Sequence, residues 1–336
     1  MLFVTFHGGK PSKDVKKPVT NVYAYNDSGG DPLETAVLQG ADSYLKDAEL
    51  RGLAFAYGHL YLANGRKDSN TILRFEGSGT KYKLKEVFAS YEGSSGIDSI
   101  LHPYSVIFDG SKYCYVSNQD TDVVTRLQVN DSKAKTGSAA PIPSGLPSTG
   151  TFWAGTFVAC SLAQLPGLGT TTAISTPQGL AVDFAPNPDA DVGSLKVQHS
   201  VRDMVLANSQ LYVCDEAASL VKVYDMNGNW KQSSNTVKSP SHLLVYNSQL
   251  YVSSSDAVMS ADLSSNSLQF SAVSGIDENG PSGMTFNSSG DKFFVADRKK
   301  NEVHSYDVSS KSGFSNKKKI ISNMPDNPEF VVYVSG

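Results

Sequence analysis

Arg51, His102, Tyr104, Arg202, Asp203, His242, Ser282 and Glu329 each stand at or just before the start of a short apolar run in this 336-residue chain. Gathered in one place, they could do acid–base chemistry on an anion. Arg51 and Arg202 carry planar forks that match a carboxylate or similar oxyanion, and they are the candidate substrate-binding pair. His102 and His242 can exchange a proton near neutral pH, with the Tyr104 phenol as partner acid. These three are the candidate catalytic groups. Such a set suits a lyase or hydrolase acting on a carboxylate- or lactone-containing substrate. The same residues admit a purely structural use, with Arg51 paired to Glu329 and Arg202 to Asp203 or a neighbour, because buried ions must be compensated.

Whether these residues meet depends on the elements that carry them. The chain repeats one unit: an apolar strand, a short turn, a second strand ending in a small or polar residue, a polar loop, and a third strand. Copies span residues 53–75, 105–127, 204–224, 243–261 and 284–306. Their strands, about four to six residues each, are rich in Val, Leu, Tyr and Phe and are broken by Gly, Asn, Asp and Ser. A fourth strand often follows, as at Lys85–Phe88. One such sheet cannot bury both faces, but sheets set around an axis cover one another. Residues 330–334 read as an innermost strand, and residues 2–6, 22–25 and 35–38 as its three partners. Both termini would then share one blade. The expected fold is an all-β, six-bladed β-propeller formed by one domain, residues 1–336. Residues 131–200, rich in Pro, Gly, Ser and Thr, read as a long insertion, with a degenerate seventh blade as the competing account.

The segments LYVCDEAASLVKVYD (211–225) and FFVADRKKNEVHSYD (293–307), with the strand starts PQGLAVD and PSGMTF, resemble the NHL and YVTN type of propeller repeat. Similar rings occur in the gluconolactonase and strictosidine-synthase-like families. The resemblance implies that innermost strands begin at the mouth of an axial channel, so the eight residues above would ring that mouth. It also implies a divalent cation, calcium or similar, held at the axial channel by Glu, Asn and Asp from strand starts. Glu329 and Asp203 stand at comparable places. Ser282 occupies the position of the Asn, and His242 is the residue best placed to replace it as a ligand. No other cofactor is expected.

Bulk properties narrow the function further. The net charge is −4, and the one dense basic run is Lys317–Lys319, so no nucleic-acid partner is expected. No apolar stretch reaches the length of a membrane span. Three cysteines, Cys114, Cys160 and Cys214, make no disulfide framework. The apolar strand at residues 2–6 does not read as a signal peptide, so a cytoplasmic or a mature secreted protein fits. A monomer is expected. The sequence leaves two functions open. One is a binding or scaffold propeller recognising a protein, a glycan or a small anionic molecule at the channel mouth. The other is the lyase or hydrolase described above.

Overall fold

In the strand His59–Asn64, Leu60 and Leu62 join one apolar cluster while Tyr61 and Ala63 join another. Successive side chains of a strand point to opposite faces, so a strand apolar on both faces needs cover on both sides. The split recurs around the chain. Leu211 and Val213 face one cluster and Tyr212 and Cys214 the next. Phe293 and Val295 face one, and Phe294 and Ala296 the next. Among the described residues, six clusters result, each filling the gap between neighbouring sheets.

The computed structural model describes residues 1–11, 17–66, 69–90, 100–110, 113–120, 123–128, 138–139, 152–154, 200–226, 230–310 and 313–335. They form a six-bladed propeller. Blade I holds Leu50–Ala56, His59–Asn64, Thr71–Ser78 and Lys81–Ser90. Blade II holds Pro103–Phe108, Tyr113–Asn118 and Val123–Gln128, with Ser138–Ala139 and Phe152–Ala154 both paired to its third strand. Blade III runs Val201–Ala207, Gln210–Asp215, Leu220–Asp225 and Trp230–Ser233. Blade IV runs His242–Tyr246, Gln249–Ser253, Val258–Asp262 and Ser271–Ala272. Blade V runs Pro281–Phe286, Lys292–Asp297, Glu302–Ser310 and Gly313–Ile321. Blade VI joins the termini, with Pro328–Tyr333 innermost, then Leu2–Phe6 and Tyr23–Tyr25.

Tyr115 and Val124 of blade II share a cluster with Met204 and Val213 of blade III, so no seventh sheet stands between them. The rest of the 131–200 insertion lies outside the described residues. One expectation is corrected at blade VI. Residues 35–38 do not supply its fourth strand. Glu34 makes an isolated bridge to Ala24, and Leu38–Gln39 pairs in parallel with the outer strand of blade I. The reason is burial, because Val37, Leu38, Ala41 and Leu45 pack into the cluster between blades VI and I. Cys114 and Cys214 are buried free thiols in two of the clusters. No helix among the described residues is long and apolar enough to cross a membrane.

Candidate functional site at the channel mouth

The innermost strands of blades I, II, III and V do not enter their sheets in regular register, whereas that of blade IV does. Pairing to the second strand shifts between Leu50 and Leu53 in blade I, Pro103 and Ser105 in blade II, Val201 and Met204 in blade III, and Pro281 and Met284 in blade V. Bulges of this kind bend a strand and re-aim its side chains. The displaced residues are Arg51, Tyr104, Arg202, Asp203 and Ser282, which the sequence marks as strand entries. Ser282 bonds to the Ala296 and Pro328 carbonyls and so joins blade V to blade VI. Gly283 lies where a Cβ would run into the backbone of Phe330 and Val331, which keeps these two entries close.

Glu329 is the centre of the site, with its side chain only 1% exposed. Its Oε1 lies 2.8 Å from His7 Nδ1, 3.2 Å from Arg298 and 3.5 Å from Arg51. Its Oε2 accepts from the Tyr104 hydroxyl at 3.4 Å. Burial pushes the Glu329 carboxyl up, but His7 and the two guanidiniums outweigh it and hold the group well below the usual carboxylate range. Arg51, itself 2% exposed, also donates to Glu49 at 2.9 Å and to the His7 carbonyl at 3.0 Å. Glu49 bridges onward to His102 Nε2 at 3.4 Å, and His102 Nδ1 meets Asp120 at 3.1 Å. Burial raises the Glu49 carboxyl, but His102 and Arg51 leave it lowered overall. The His102 backbone has a φ of 50°, a strained value for this residue type, and Asn70 fixes it by accepting from the His102 amide at 2.7 Å.

Across the mouth, Arg202 donates to Glu216 from Nε at 2.8 Å and to Gln119 at 2.9 Å, while its guanidinium lies 4.9 Å from the Tyr104 ring centre. Its partner is therefore Glu216 and not Asp203. His242 Nε2 lies 3.4 Å from the Tyr104 hydroxyl, and its ring packs against Phe330 with centroids 4.3 Å apart. Ser241 Oγ is 3.1 Å from His242 Nδ1. These contacts suit a neutral imidazole whose Nε2–H donates to Tyr104, which donates in turn to Glu329. Burial pushes the His242 imidazole down to about 3, and burial, aided by Glu329, raises the Tyr104 phenol.

The structure thus brings five of the seven candidates, Arg51, His102, Tyr104, His242 and Glu329, into one connected network, with Arg202 beside it over Tyr104. Asp203 stands apart. Its Oδ1 accepts from the Met204 amide at 2.8 Å and its Oδ2 from the Leu243 amide at 3.0 Å, tying blade III to blade IV. Burial lifts its pKa to about 6 against the pull of those hydrogen bonds. Of the two candidate metal ligands, Asp203 is engaged by backbone amides and Glu329 is crowded by guanidiniums. Among the described residues, a group that could hold a metal lies elsewhere, at Glu278, Asp297 and His304.

Sequence reasoning missed His7, Glu49, Gln119, Glu216 and Arg298. A signal for most of them was present in the repeat. The second strands of blades II, III, V and VI end at Asn118, Asp215, Asp297 and Phe6, and the next residues are Gln119, Glu216, Arg298 and His7. Antiparallel pairing returns the end of the second strand to the level where the first begins, so these residues form an outer ring around the entries.

No protein-family model matches this sequence, and no curated protein matches it either. Solved structures do. The periplasmic gluconolactonase of Pseudomonas aeruginosa is 13% identical, with a TM-score of 0.51, over 100% of this chain and 99% of that one. A chain in the crystal structure of a nidogen/laminin complex is 12% identical, with a TM-score of 0.53, over 98% and 96%. At these identities the likeness is one of fold, a six-bladed ring that elsewhere serves both catalysis and protein assembly.

Proposed function

We propose that this protein is a binding propeller that recognises a small anionic ligand, one bearing a carboxylate, at the channel mouth. The observation that supports it best is the pairing of the cluster. Arg51, Arg202 and His102 each have internal carboxylate partners, and His242 is held neutral far below the working range of a general base. Charges paired in this way are held in place, which suits recognition more than proton transfer. At its solvent side, Arg298 and His7 remain 38% and 41% exposed while gripping Glu329. They are the groups an incoming carboxylate would meet.

The reading is tested by calorimetric titration of the full chain with glucuronate and gluconate. Saturable binding, weakened at least ten-fold in Arg298→Ala, is the expected result. The competing reading is lactone hydrolysis, favoured by the Tyr104–His242–Glu329 contacts and by the fold shared with a gluconolactonase. Turnover of a δ-gluconolactone that disappears in His242→Ala would replace the binding proposal.

A further inference from the structure

Between blades IV and V, the loop residue Glu278 is tucked beneath the third strand of blade V. Its Oε1 and Oε2 lie 2.8 and 3.0 Å from His304 Nδ1. Asp297 closes the group, so that one donor atom from each of Glu278, Asp297 and His304 lies within 4.8 Å of the others, all three residues being buried. The Asp297 carboxylate is half used. Oδ1 accepts from the Lys299 and Lys300 amides, whereas Oδ2 is buried and accepts no hydrogen bond. The Lys300 ammonium, on a half-exposed side chain, is ion-paired with Oδ2 at 3.3 Å. A buried carboxylate oxygen without a hydrogen-bond donor needs a cation.

The surroundings are built as the outer shell of a metal centre is built. A ligating imidazole usually donates its other ring N–H to a carboxylate, and ligating carboxylates are themselves hydrogen-bonded. His304 Nε2 lies 3.1 Å from Glu302, and the Tyr306 hydroxyl donates to Glu278 at 2.6 Å. Two lysines now supply the positive charge. Lys317 lies 3.2 Å from Glu278 and Lys300 beside Asp297, both on side chains that reach solvent. Such ammonium groups can swing away.

We propose that Glu278, Asp297 and His304 form a site for a zinc-class divalent ion, with Lys300 and Lys317 as the cations it displaces and Glu302 and Tyr306 as the residues that hold its ligands. One imidazole and two carboxylates suit zinc and its neighbours. Three protein donors leave a fourth position for water. Calcium, which takes six to eight oxygens, is poorly served by one nitrogen and two carboxylates. The site shares no residue with the mouth network, and Asp297 directly precedes Arg298 of that network.

The test is calorimetric titration of the metal-stripped full chain with zinc chloride, repeated with calcium chloride. One saturable zinc per chain is expected, with no calcium heat. Asp297→Asn should abolish it, and Glu302→Gln should weaken it by about ten-fold. The double variant Lys300→Met/Lys317→Met should bind zinc more tightly than the wild type, because its competitor cations are gone. A merely structural ion-pair network predicts the reverse, a less stable protein with no gain in zinc affinity. Absence of one-to-one zinc binding, or an affinity unchanged in both Asp297→Asn and the lysine variant, overturns the proposal. If Asp297→Asn does not fold, the lysine variant decides, since it alters only partly exposed side chains.

Discussion

At the scale of the residue, the mouth is governed by burial. His242 and Tyr104 were recognisable as acid–base candidates from their types and their places at strand entries. Their titration was not, because it depends on Phe330, Glu329 and each other, which come from three blades. A histidine whose folded pKa is depressed to about 3 stays neutral while the unfolded chain takes up a proton below about 6.5. It therefore removes stability as pH falls through that window, by about 1.4 kcal/mol per pH unit for one full proton. Asp203 has the opposite sign. Its carboxyl, raised to about 6, favours folding more at low pH and less as pH rises from about 4 to 6. The two slopes oppose each other over the same range. Urea denaturation between pH 4 and 6.5 should show His242→Asn losing less stability on acidification than the wild type, and Asp203→Asn losing more. Parallel profiles for all three proteins would mean that neither group is held as the structure places it.

The repeat at the scale of the element was legible because period-two alternation with apolar residues on both faces leaves few alternatives. The five internal copies fall on blades I to V. What escaped was register. The bulges that displace Arg51, Tyr104 and Arg202 from regular pairing have no marker in a strand pattern, and the outer ring of Gln119, Glu216, Arg298 and His7 is visible only once the second strands are aligned by their ends. Residues 35–38 were misplaced for a related reason, since an apolar segment can be buried between blades as well as within one. Turn chemistry gives a further expectation. Blades III and IV join their first two strands through Asn208-Ser209 and Asn247-Ser248, all four residues having positive φ. Two-residue hairpins of this hand favour glycine at the second position. Ser248→Gly should relieve a left-handed serine and raise stability by about 1 kcal/mol, read as a shift in the urea midpoint at unchanged slope.

For the whole molecule, the decisive feature is blade VI, in which Leu2 pairs with Tyr25 on one side and Tyr333 on the other. Deleting residues 327–336 removes the innermost strand of that blade together with Glu329, leaving Arg51 and Arg298 without their shared carboxylate. Loss of a cooperative thermal transition is the expected outcome, and a truncated chain that melts like the intact one would show that the ring does not depend on its closure. The pairing of Leu2 with Tyr333 also sets an order of events during synthesis. Leu2 finds this partner only after more than three hundred further residues have been made. Contacts so distant in sequence form late and slowly. Until then Leu2, Phe3 and Val4, all buried in the finished ring, present an unpaired apolar edge of the sort that invites association with other nascent chains. Production of this protein should therefore depend on chaperones more than its small, regular sheets would suggest.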